Sequence, residues 1–167
     1  KMSGLSYREY VLFLSHCRRM GHDQAGWLVR EQLLLFAAHL RIKPVEMRDV
    51  LVSDVRVSRR GPSYVRFGDR RARIRSVYAR ARVLSYRERC IRLGQKYWFE
   101  RVHPNSEHLP MRKDAMSRLF KQGVVSLFGE DRWSEVSLLG CSGRWFRGRE
   151  VGTTYIDDAL GEMLSYV

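Results

Sequence analysis

A mainly α fold with one small three-stranded antiparallel β-sheet is what this sequence predicts. Apolar residues recur at helical spacing up to about residue 50. Strict alternation takes over between Asp54 and Val77, and helical spacing returns from Ala79 to the end. With 167 residues and 44% apolar content, the chain suits one domain, 1–167, around a single sizeable core. No repeat, low-complexity stretch or composition break divides it.

The elements follow in order. Tyr7, Tyr10, Val11, Leu14 and Cys17 share one helical face, and Gly21 is a plausible stop. Trp27 to Leu40 is apolar over such a broad side that it reads as the central, buried helix. Pro44 suits the first turn of a short third helix carrying Val45, Met47 and Val50. Residues 54–57, 63–67 and 73–77 then alternate, with Gly61-Pro62 and Gly68-Asp69 between them, as an antiparallel ribbon requires. Its outward positions are Arg56, Arg66, Arg73 and Arg75, so one face is strongly cationic. A long Arg-rich helix is expected from Ala79 to Arg101, with Val83, Leu84, Ile91 and Trp98 inward. After a loop at 103–106, a helix from Lys113 to Lys121 packs through Ala115, Met116, Leu119 and Phe120 and ends at Gly123. Asp131 and Ser134 are candidate caps for a helix through Leu139. A Gly/Arg loop (142–152) and an amphipathic helix (157–166) complete the chain.

Charge narrows the class of partner. Thirty-one basic residues face 18 acidic ones, a net charge of +13, and 26 of the basic residues are arginine. Arginine's planar fork grips phosphate through two bonds and stacks on rings, so the excess points to a polyanion, with nucleic acid foremost. Cys17, Cys90 and Cys141 are odd in number and far apart, which argues against a disulfide framework and for a reducing, intracellular compartment. No run nears the roughly 18 apolar residues of a membrane span. The five histidines show no metal-ligand spacing, and no glycine-rich phosphate loop is present. No metal or cofactor is expected.

Four segments, in order along the chain, resemble the catalytic domain of the tyrosine recombinases (phage-integrase-like enzymes). Residues 40–55, LRIKPVEMRDVLVSDV, are similar to that family's GLRxxELxxLxxxDI. An ungapped alignment puts the first catalytic arginine at Lys43; a two-residue bulge puts it at Arg41. The hairpin over 67–77 lies where the family holds its catalytic lysine, but it carries only Arg70, Arg71, Arg73 and Arg75. Arg112 and Gly123 have the spacing of the family's HxLRHTFAxxLLxxG helix, with Leu109 at the histidine position and His108 one residue before it. Residues 138–142, LLGCS, resemble LLGHS with Cys141 for histidine, and Thr153-Thr154-Tyr155 resembles TTxxY.

The resemblance implies a recombinase-type fold over the whole chain and duplex DNA as partner. It also implies attack on phosphorus by Tyr155, which joins the DNA 3′ end to tyrosine. Tyrosine's ordinary pKa is near 10, so the reaction needs an arginine clamp on the phosphate oxygens and proton-transfer groups beside it. Arg112 and Tyr155 are present, Tyr155 one or two residues closer to the threonines than in TTxxY. The lysine and both histidines are changed, although Trp145 stands near the second histidine's position, and some family members use tryptophan there. Tyr155 as a core tyrosine and Cys141 as a small buried apolar residue remain open readings. The family's catalytic domain works beside an N-terminal clamping domain, so the resemblance fits a C-terminal fragment of a larger protein. In the family the last helix can dock into a neighbouring protomer, which leaves a homo-oligomer on DNA through 157–166 open.

Three functions follow. The first is a duplex-DNA-binding domain of recombinase type with weak or lost cleavage, working in nucleoid-bearing cytoplasm or a nucleus. The second is an active recombinase using Tyr155, Arg112 and either Arg41 or Lys43. The third is a basic RNA-binding or ribonucleoprotein module. The arginines expected at phosphates are Arg66, Arg70, Arg71, Arg73 and Arg75 of the ribbon, Arg80, Arg82 and Arg87 of the long helix, and Arg144, Arg147 and Arg149 of the late loop.

Overall fold

Ser6 opens the first helix, α1 (Tyr7–Met20): its hydroxyl accepts from the Glu9 amide, and the Glu9 carboxylate accepts from the Ser6 amide. This reciprocal pair satisfies two amides that a helix start leaves free. The computed structural model describes residues 4–21, 23–101 and 107–142. Within them the chain is mainly helical with one three-stranded antiparallel sheet, the class its periodicities predict.

Tyr10, Phe13, Leu14 and Cys17 of α1 face inward onto α2 (Ala25–Ala38). α2 is the centre of the fold. It packs against α1, α4 (Val77–Arg92) and α5 (Lys113–Phe128), and Leu33 to Ala37 are wholly buried. A helix surrounded on all sides has no polar face to offer, which is why its apolar run is so broad. Two buried polar residues, Glu31 and Gln32, are the exceptions. Gln32 is satisfied at both ends: its amide donates to the Arg82 carbonyl at 3.3 Å and accepts from the Trp98 indole at 3.3 Å.

α2 closes through an unusual turn. The Ile42 amide donates back to the Phe36 carbonyl at 3.0 Å, and Arg41 sits at φ 55. Side chains rarely adopt this left-handed conformation, and helix ends usually place glycine there. α3 (Pro44–Met47) follows with proline in its first turn. Val45, expected to pack, is 60% exposed; Met47 and Val50 are buried.

The sheet comprises β1 (Val55–Arg56), β2 (Tyr64–Phe67) and β3 (Arg70–Arg73) in sequence order. Phe67 pairs with Arg70 across a two-residue turn in which Gly68 takes φ 58, so β3 starts three residues earlier than its alternation suggested. After one more ladder bond, from the Ile74 amide to the Ser63 carbonyl, Ser76 caps α4. Val77 is therefore a helix residue and exposed.

Three helical expectations need correction. The helix expected to reach Arg101 stops at Arg92, before Leu93-Gly94. Trp98 is buried as expected, but it lies on the segment beyond, stacked on Phe36, while Ile91 is exposed. The expected stop at Gly123 is absent because α5 continues to Phe128. Gly123 serves close approach instead, since a Cβ there would lie 2.7 Å from Cδ of Arg30. Ala115, expected to pack, is exposed. The helix expected over 131–139 is two 3₁₀ turns, Glu130–Ser134 and Leu139–Ser142, separated by buried Val136 and Leu138.

Candidate nucleic-acid interface

Strand register decides which ribbon arginines face out. Val55, Val65 and Ala72 form one cross-strand row, turned toward the core. Arg56, Tyr64 and Arg73 form the next row, on the opposite face, and Arg66 stands opposite Arg71 beside it. Arg56, Arg66, Arg71, Arg73 and Arg75 are all exposed. Like charges directly opposite each other on one face destabilise a sheet. Among the described residues no carboxylate forms an ion pair with any of these five. Tyr64 sits in their midst, with the Arg71 guanidinium 4.6 Å from its ring centre. The Arg56 guanidinium at its hydroxyl, helped by nearby Arg71 and Arg66, holds the Tyr64 phenol below its ordinary pKa. The sheet face is thus a field of uncompensated positive charge. Tyr64 was not among the residues picked out from sequence, although alternation alone sets it on the same face as Arg56 and Arg66.

A second basic group surrounds α3. Glu46 accepts from the Lys43 amide at 3.0 Å and from the Arg70 guanidinium at 2.6 Å, which ties the hairpin tip to α3. Slight burial opposes its ionisation, but these donors and the adjacent charges of Arg70 and Lys43 outweigh it and hold the carboxyl below its ordinary pKa. The start of α5 lies nearby. The Trp98 amide donates to the Val50 carbonyl and the Met111 amide to the Phe99 carbonyl, so two strand spacings, about 10 Å, separate the chain after α3 from the chain entering α5. Arg112 caps α5 there with an exposed side chain, and α3 packs directly on α5. Arg41 and Lys43, both exposed, precede α3. Arg41, Lys43, Arg70 and Arg112 therefore gather around one short helix from three separate places in the chain.

The α4 arginines behave differently from expectation. Arg82 turns inward: its Nε lies 2.9 and 3.0 Å from the two carboxylate oxygens of Glu31, a residue 1% exposed. Its Nε is thereby committed to a carboxylate within the fold. Burial pushes the Glu31 carboxyl above its ordinary pKa, and Arg82 pulls the other way. Arg87 donates Nε to the Val55 carbonyl at 3.0 Å and is half-buried. Arg80 is half-buried, and its buried Nε has no partner among the described residues.

Cys141 is wholly buried in the core, and burial pushes its thiol up to about 12. His108 is exposed and pairs with Glu100 at 3.0 Å. Tyr155, Trp145, Arg144, Arg147, Arg149 and the helix expected over 157–166 lie outside the described residues. Among the described residues no group of three His, Cys, Asp or Glu could hold a metal ion, and no helix is long and apolar enough to cross a membrane.

No protein-family model matches this chain, and no curated protein shows significant similarity to it.

Proposed function

We propose that this is a duplex-DNA-binding domain of tyrosine-recombinase type whose strand-cleavage chemistry is weak or lost. The observation that carries the reading is the exposed sheet face, where Arg66 is set opposite Arg71 with no carboxylate paired to either among the described residues. Such a face costs stability in the free protein and is relieved by a polyanion. The gathering of Arg41, Lys43, Arg70 and Arg112 around α3 supports the recombinase type in particular. That family needs a first arginine, a hairpin cation and a second arginine on one phosphate. Arginine at the hairpin is a poor proton donor because it does not release its proton in the accessible range. Each missing acid–base group costs about 10²–10⁴ in rate, so the chemistry is reduced far more than the binding.

The test is a nicked suicide duplex incubated with the protein. Salt-sensitive binding without a covalent adduct is expected, with Tyr155→Phe binding as tightly as the parent. Stoichiometric covalent trapping, abolished by Tyr155→Phe, would establish an active recombinase instead. Preferential competition by structured RNA would move the protein to the ribonucleoprotein class.

A further inference from the structure

The outward sheet face borders a cavity of about 380 Å³ between β1, β2 and α4, lined in part by Ser53, Asp54, Arg56, Tyr64, Arg66 and Arg87. Its three arginines come from three different elements. Arg87 is fixed by the bond from its Nε to the Val55 carbonyl, which leaves its two terminal nitrogens for another acceptor. Arg56 is the cross-strand partner of Tyr64, and Arg66 lies two residues on along the same strand face; both arginines are exposed. Among the described residues Asp54 supplies the one carboxylate of the lining, and its Oδ2 accepts from the Leu51 amide at 2.9 Å. Three guanidinium groups against one carboxylate leave a concave, positively charged wall.

We propose that this cavity binds a phosphomonoester dianion, the 5′-phosphate of a mononucleotide either free or at the end of a nucleic-acid strand. The inference stands on the cavity and does not need the duplex reading. The match is one of charge and oxygen count. A phosphomonoester offers three terminal oxygens and nearly two negative charges, and planar arginine forks bind such groups in pairs of bonds. A backbone phosphodiester or a carboxylate offers two oxygens and one charge. Small-molecule sites span about 300–1,000 Å³, so the cavity has room beyond the phosphoryl group for an attached sugar.

Calorimetric titration of the full chain with deoxyadenosine 5′-monophosphate, and separately with deoxyadenosine, tests the site. Saturable one-to-one binding of the phosphorylated form alone is expected. Arg56→Ala and Arg66→Ala each replace an exposed residue, and each should weaken binding about tenfold or more, in keeping with the loss of a charge-assisted bond. Arg118→Ala, an exposed arginine of α5 outside the lining, should not change it. Arg87→Lys keeps the charge but not the fork and should also weaken binding. Thermal midpoints of all variants establish that they are folded. The source is resolved with one linear duplex carrying either 5′-phosphate or 5′-hydroxyl ends: tighter binding of the phosphorylated form assigns the cavity to strand ends, and equal binding assigns it to the free mononucleotide. A closed circular duplex has no such ends and tests the duplex reading separately. No saturable mononucleotide binding, equal binding of the bare nucleoside, or folded Arg56→Ala and Arg66→Ala variants with unchanged affinity would each overturn the site, whatever the circular duplex does.

Discussion

The hairpin and α4 are both rich in arginine, and they use it in opposite ways. On the hairpin, Arg66, Arg71 and Arg73 stand in rows on an exposed face, with no carboxylate paired to them among the described residues. On α4, Arg82 closes a buried pair with Glu31, and Arg87 clasps the backbone of β1. The first set is charge held ready for a partner. At Arg82 charge is consumed in building the fold, whereas Arg87 gives the backbone only its Nε. Net charge cannot separate them, because the deciding factor is what lies opposite each guanidinium, and that is a property of the tertiary structure.

The largest expected effect falls on the consumed set. Arg82→Ala strands the Glu31 carboxylate in the core, and breaking a buried pair from one side costs about 3–5 kcal/mol. The loss should carry a signature in pH. Glu31 already ionises with more difficulty folded than unfolded, so its contribution is most favourable at acid pH and declines as pH rises through its folded pKa. Removing Arg82 raises that pKa further. The deficit relative to the parent should therefore be smallest in acid and widen toward neutral pH, as read by urea denaturation across the range. Nucleic-acid affinity per folded molecule should hardly change. A stable Arg82→Ala protein with impaired binding would erase the contrast between the two regions.

The hairpin should answer in reverse. Arg71→Ala with Arg73→Ala removes two phosphate contacts, so the slope of log affinity against log salt should flatten by about 2, and all duplex sequences should suffer alike. Stability should stay within about 0.5 kcal/mol of the parent, because these are exposed positions and relief of the Arg66–Arg71 opposition works in the favourable direction. An unchanged salt slope would remove the hairpin from the interface.

Periodicity made the fold class legible. It identified α2 as the central helix, and alternation gave the correct outward face of the ribbon. What it missed was set by contacts between segments distant in sequence. Gly123 looks like a helix stop but admits the Arg30 side chain. Trp98 fits a helical apolar stripe but is placed by Phe36, Tyr86 and Gln32 on an irregular segment beyond the helix. Arg82 looks like a surface cation until Glu31 is brought to it from a point 51 residues earlier. The group around α3 was only partly legible. Arg41, Lys43, Arg70 and Arg112 were all marked as candidates, but the bond from Arg70 to Glu46 that draws the hairpin to α3 has no sequence signature.

The smallest expected effect concerns the one residue that belongs to both classes. Arg41 is an exposed cation, yet it occupies the left-handed position that closes α2, where a side chain costs roughly 1 kcal/mol or more and glycine costs little. A position shaped only by folding would carry glycine. Retaining arginine there is strain of the kind found at binding and catalytic sites. Arg41→Gly should therefore stabilise the fold by about 0.5–1 kcal/mol, or a few degrees in thermal midpoint, while weakening duplex binding and flattening the salt slope by about 1. Arg41→Lys separates the two causes, since it keeps the charge and the strained backbone but loses the planar fork. It should leave stability near the parent value and restore most of the salt slope. If Arg41→Gly both stabilised the protein and left binding untouched, Arg41 would be a tolerated irregularity of the α2 turn, and the basic group around α3 would reduce to Lys43, Arg70 and Arg112.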